Sequence, residues 1–225
     1  MNTILAISLS LLAAGTEDRP RVAVVVGAPG TPEYAAEFRR WADQWQAAAR
    51  KAGAESIRIG QDEEAGATDR ELLRAALAES AADGREPLWI VLIGHGTFDG
   101  REAKFNLRGP DVTDVELADW LAPLKRPVVL LNCGSGSGTF INRLSGENRV
   151  VVTATKSGHE LNYARFGEYL AGTDLDAQPV RLQPCDLRGA ELGEHLLAPL
   201  AQQFAYHDPL FRCTAQRNSI TSSSM

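Results

Sequence analysis

Four short apolar runs constrain this chain more than any other feature. They are "RVAVVV" at 21–26, "LWIVLI" at 88–93, "PVVLL" at 127–131 and "RVVVT" at 149–153. The first reads as a strand buried on both faces, since it does not alternate apolar with polar residues as a strand with one wet face would, and the others read as further strands. Segments of helical periodicity separate them. "PEYAAEFRRWADQWQAAARKAG" predicts a helix that stops at Gly53. "TDRELLRAALAESAADG" and "TDVELADWLAPL" each open with a threonine and place a glutamate three residues later (Thr68 with Glu71, Thr113 with Glu116), which is capping-box register. "SIRIG" supplies one further short strand. Strands alternating with helices predict an α/β fold with a mostly parallel sheet and helices on both of its faces.

The chain has 225 residues, 44% hydrophobic and 23% charged, enough for one sizeable core. No linker rich in proline, serine or glycine divides it, so the expectation is a single domain over 20–175. A net charge of −6 with no basic face argues against nucleic acid as a partner. No run reaches the ~20 apolar residues that would insert stably in a bilayer.

The amino terminus, "MNTILAISLSLLAAG", has an apolar centre from Ile4 to Ala14 and then turns polar at "TEDRPR". This predicts a signal peptide over 1–15, cleaved near Ala13–Gly15, and hence a secreted or periplasmic protein. The three cysteines are Cys133, Cys185 and Cys213. In an exported chain an odd number suggests one disulfide and one free thiol. Cys185 and Cys213 both lie in the irregular carboxyl-terminal stretch and form the natural pair. Residues 176–225 read as an extension, with one helix near 189–204 and a polar, partly disordered end.

In open parallel sheets function collects at the carboxyl ends of the strands. His95 ends the third strand and Cys133 the fourth, where the chain runs "VVLLNCGSGSGTF". This loop has no lysine after its glycines, so it is not a P-loop. Neither Ser135 nor Ser137 has glycines two residues to each side, so it is not a hydrolase nucleophile elbow. It resembles the glycine-rich first motif of S-adenosylmethionine-dependent methyltransferases, but the acidic residues that motif expects nearby are missing. That reading also leaves His95 idle. A Cys–His pair uses both: adjacent strands lie ~4.8 Å apart, so side chains leaving two strand ends can converge on one substrate. An imidazole beside the thiol would favour the thiolate, and the small residues around Gly96 would let amides face an oxyanion. Each residue also has a plainer fate, Cys133 as a buried small hydrophobe and His95 as a loop histidine satisfying a carbonyl.

The ordered series "IVLIGHG", "PVVLLNCGSGSG" and "VVVTATKSGHELNYARFGEYL" resembles the legumain (asparaginyl endopeptidase) branch of caspase-like cysteine peptidases, over about 21–170. The resemblance implies a caspase-like three-layer sandwich and an endopeptidase acting on protein or peptide through a thioester. It implies Cys133 as nucleophile, His95 as acid–base partner, and the amides of Gly96 and Cys133 as the oxyanion hole. No metal or organic cofactor is implied. "HELNYA" is similar to the family's pocket segment, which places Glu160 and Asn162 beside the side chain next to the cut; Glu160 also reads as a solvated helix-start carboxylate. This chain has Leu131 and Asn132 before the cysteine where the family has an acidic residue and alanine. It has Ala35 where the family has an arginine, which implies a pocket for a side chain other than asparagine. A catalytically silent caspase-like binding domain is the further alternative.

Overall fold

Each apolar run is a strand of one sheet. The computed structural model describes residues 19–61, 66–80, 84–160 and 167. Strands β1 (Arg21–Val26), β2 (Glu55–Ile59), β3 (Leu88–Ile93), β7 (Val128–Asn132) and β8 (Arg149–Thr153) lie in the order β2-β1-β3-β7-β8. Every pairing in this sheet is parallel. The expected α/β architecture, a mostly parallel sheet flanked by helices, is therefore present. β3 is central and wholly buried, which is why its six residues carry no polar side chain.

Side-chain parity along the strands sorts the core into two layers. Val22, Val24, Val26, Trp89, Val91, Ile93, Val129 and Leu131 face one way, against Phe38, Trp41, Ala42, Trp45 and Ala49 of α1 (Pro32–Lys51). Val25, Leu88, Ile90, Leu92, Val128 and Leu130 face the other way. There they meet Leu73 and Leu77 of α2 (Asp69–Glu79), Leu117 and Leu121 of α3 (Asp114–Leu121), and Phe140 and Leu144 of α4 (Thr139–Leu144). Burying each such large side chain contributes roughly 1.5–3 kcal/mol, an upper figure because the unfolded chain is itself partly collapsed.

The helices begin where the sequence places them. Both capping boxes form: Thr68 accepts from the amide of Glu71 and Thr113 from that of Glu116, each glutamate returning to its threonine's amide. The long helix ends at Lys51, and Gly53 makes the turn with φ +67°.

A second sheet is absent from the sequence reading. β4 (Gly96–Phe98), β5 (Ala103–Phe105) and β6 (Val112–Thr113) form a three-stranded antiparallel sheet inserted between β3 and α3. Strands of two or three residues are too short to display a period of two. Its Phe105 ring covers the β1 and β3 ends: a Cβ at Gly94 would lie 3.0 Å from that ring and one at Gly27 would lie 3.1 Å from it. The signal segment, the 176–225 extension with its proposed helix, Cys185 and Cys213 lie outside the described residues. No helix among the described residues is long and apolar enough to cross a membrane.

Candidate active site

The register Leu92↔Asn132 sets β3 and β7 side by side at their carboxyl ends. His95 continues the parity of Trp89, Val91 and Ile93, and its ring does lie on the α1 side. It packs edge-on against Tyr34 at 4.8 Å and Phe38 at 5.2 Å between ring centroids. Cys133 continues the parity of Val129 and Leu131 on the neighbouring strand. It lies beside Gly167, where an added Cβ would stand 3.3 Å from the Cys133 Cβ and 2.8 Å from the Trp41 ring. Phe38 and Trp41 touch, centroids 5.6 Å apart. One row of α1 aromatics thus runs from the histidine to the cysteine.

His95 Nε2 lies 3.1 Å from the carbonyl oxygen of Pro29, in the loop between β1 and α1. A carbonyl can only accept, so Nε2 carries the proton and Nδ1 is left as the ring's acceptor. Pro29 is a partner that sequence reasoning missed. The contact uses its backbone oxygen, which every residue type carries, so only its position after a buried strand hints at it.

Cys133 departs from the expected thiolate-favouring setting. It is 2% exposed, and burial pushes its thiol up to about 12. Removing water disfavours the charged form, and among the described residues burial is the cause that acts on this thiol. Its amide donates to the carbonyl of Leu92 at 2.9 Å, continuing the β3–β7 ladder one residue beyond the strand. The sheet thus holds the amide of Cys133, one of the two expected oxyanion donors.

The glycines after Cys133 serve close packing. The amide of Gly134 donates to Asn132 Oδ1 at 3.0 Å, that of Gly136 to the carbonyl of Glu160 at 2.9 Å, and that of Gly138 to Thr155 Oγ1 at 3.0 Å. A Cβ at Gly138 would fall 2.3 Å from the amide nitrogen of Ser157, and one at Gly96 would fall 2.3 Å from the carbonyl of Ser135. These three loops therefore interlock backbone to backbone. A methyltransferase-like loop would turn those amides toward a cofactor; here the protein's own acceptors occupy all three.

Glu160 is exposed at the rim. Its carbonyl anchors Gly136, and its carboxylate accepts from the amide of Lys156 at 3.3 Å, so it belongs to the loop that braces the cysteine turn. Asn162 lies outside the described residues. Ala35 sits in the first turn of α1, its amide donating to the carbonyl of Thr31, next to the Tyr34 that abuts His95. His159, unmarked in the sequence reading, packs edge-on against Phe98 at 5.0 Å on the same rim. Among the described residues no group of three or more His, Cys, Asp or Glu side chains is arranged to hold a metal ion.

No family model matches the chain, and no curated protein does. Among solved structures it is similar to the Drosophila initiator caspase Dronc, with 13% identity and a TM-score of 0.47 over 69% of this chain and 63% of that one. It is also similar to Chaetomium thermophilum Raptor, with 12% identity and a TM-score of 0.42 over 63% of this chain and 16% of that one. The chain thus spans less than two thirds of either, and likeness at this level assigns it neither a family nor an activity.

Proposed function

We propose that this chain is an exported cysteine endopeptidase of caspase-like, legumain type. Cys133 attacks the scissile carbonyl of a protein or peptide substrate as its thiol proton passes to His95. His95 gives that proton to the leaving amine, and water hydrolyses the thioester to release the acid and restore the thiol. One observation carries the reading: His95 and Cys133 leave the carboxyl ends of two paired parallel strands toward the same face, with His95 held in the Nε2–H form by Pro29. The buried Cys133 thiol then corresponds to a resting form, from which substrate binding must uncover the sulfur and free its amide. With Ala35 in place of the family's arginine, the pocket beside Glu160 suits a side chain other than asparagine.

A second reading, a silent binding domain, draws on the same burial: a neutral, covered thiol is what an unused cysteine looks like. The two part company under peptidyl acyloxymethylketones carrying Asn, Asp, Arg or Lys next to the warhead. Mass-mapped labelling at Cys133 that disappears in His95→Ala supports the peptidase, and the preferred peptide identifies the pocket. Folded protein that none of the probes labels supports the silent domain.

A further inference from the structure

We infer that Asn106 and Asp111 are positioning residues for His95, acting through the backbone that presents Pro29. The inference rests on reading His95 as the acid–base group. It starts from two backbone contacts. The amide of Asn106 donates to the carbonyl of His95 at 3.0 Å, and the carbonyl of Asn106 accepts from the amide of Ala28 at 2.9 Å. Ala28 precedes Pro29, whose carbonyl holds the His95 ring. Asn106 thus clamps both ends of the contact that fixes the imidazole: the main chain of the histidine and the loop carrying its acceptor. The fit is tight, since a Cβ at Gly27 would fall 2.4 Å from the Asn106 carbonyl oxygen.

Asn106 is in turn held by one carboxylate. Its Nδ2 donates to Asp111 Oδ2 at 3.1 Å, while the amide of Leu107 donates to Asp111 Oδ1 at 3.1 Å. Asp111 therefore closes the turn at 106–111 with both oxygens. Within that turn, Arg108 forks onto the buried Asp69 at the start of α2, with two contacts of 2.9 Å. The path runs from the α2 layer through a rigid turn to the imidazole. It uses no group that touches the proposed substrate, so its effect falls on how well His95 is oriented. A small misplacement of a catalytic group costs rate far more than binding.

The partners are hydrogen-bonding groups whose pattern can be inverted. Asp111→Ala removes both acceptors, and Asn106→Asp sets two carboxylates face to face. The double variant Asn106→Asp/Asp111→Asn restores one donor and one acceptor across the gap and keeps an acceptor for Leu107. The measurement is the ring-nitrogen NMR spectrum of His95, assigned by its loss in His95→Ala, in each variant whose thermal unfolding remains cooperative. The expected result is the Nε2–H form in the parent and the double variant, and mixed tautomers in Asp111→Ala and Asn106→Asp. With an acyloxymethylketone, the maximal inactivation rate should fall in the two single variants by on the order of tenfold at unchanged half-saturating concentration, and recover in the double. An unchanged His95 spectrum in either folded single variant overturns the inference, as does a double variant that stays perturbed. If Asp111→Ala does not fold, Asn106→Asp and the double decide the matter alone. A parent that no acyloxymethylketone labels sinks the peptidase reading and leaves the spectrum to judge the positioning.

Discussion

The amide of Cys133 donates to the carbonyl oxygen of Leu92 at 2.9 Å, so the proposed nucleophile is also the last rung of the β3–β7 ladder. That bond fixes the cysteine's place and direction. It also withdraws the amide from any oxyanion and draws the sulfur into the α1 layer. The thiol is protonated because it is dry. In the folded chain at pH 8, iodoacetamide should alkylate Cys133 on the order of a thousandfold more slowly than in denaturant, since only the thiolate reacts.

The same burial sets a pH dependence of stability. The folded thiol is raised from 9.0 to about 12, so the unfolded chain loses this proton first as pH rises. Its contribution is fully present below pH 9 and is lost progressively between pH 9 and about 12. Denaturant midpoints for the parent should fall across that window more steeply than for Cys133→Ala. Parallel curves would contradict the buried thiol.

Gly96 and Gly146 form a matched pair of tests. A Cβ at Gly96 would meet the Ser135 carbonyl at 2.3 Å, whereas one at Gly146 would make only a 3.8 Å contact with Arg149. Gly96→Ala should cost about 1–3 kcal/mol by overpacking and abolish probe labelling, because the histidine and cysteine loops must separate. Gly146→Ala should be neutral or stabilising by about 0.4–1 kcal/mol. Thermal unfolding of both reads the difference.

Asp69 is 4% exposed and forked by Arg108. Asp69→Ala should cost about 2 kcal/mol, below the loss for a fully buried pair because the Arg108 end reaches solvent. The double variant Asp69→Ala/Arg108→Ala should cost less than the two single losses added together, and a double-mutant cycle measures that coupling.

Phe38 is 1% exposed and lies against both Trp41 and His95. Phe38→Ala should destabilise by about 3–5 kcal/mol. Phe38→Leu should keep most of that stability yet loosen the ring contact, which would lower labelling of Cys133 more than it lowers the unfolding temperature.

The inner strands β1, β3 and β7 were legible in the chain because they are buried on both faces, whereas the edge strands β2 and β8 are only partly covered. No charged residue interrupts Val22–Val26, Leu88–Ile93 or Val128–Leu131, and Thr68 and Thr113 announce their helices by pairing with glutamates three positions on. The inserted sheet from Gly96 to Thr113 was not legible. Its strands have only three, three and two residues, too few to display a period of two, and its Phe105 packs over Gly27, which is remote in the chain.

The sequence by itself determined that His95 and Cys133 end neighbouring apolar runs, because a strand's hydrophobicity and its stop at glycine are local properties. Only the tertiary structure decided that β3 and β7 are adjacent in register, and that a backbone oxygen of Pro29 holds the imidazole. It alone decided that the thiol is sealed from water beside Gly167. Those depend on contacts between residues far apart in the chain, and on main-chain groups that every residue carries alike.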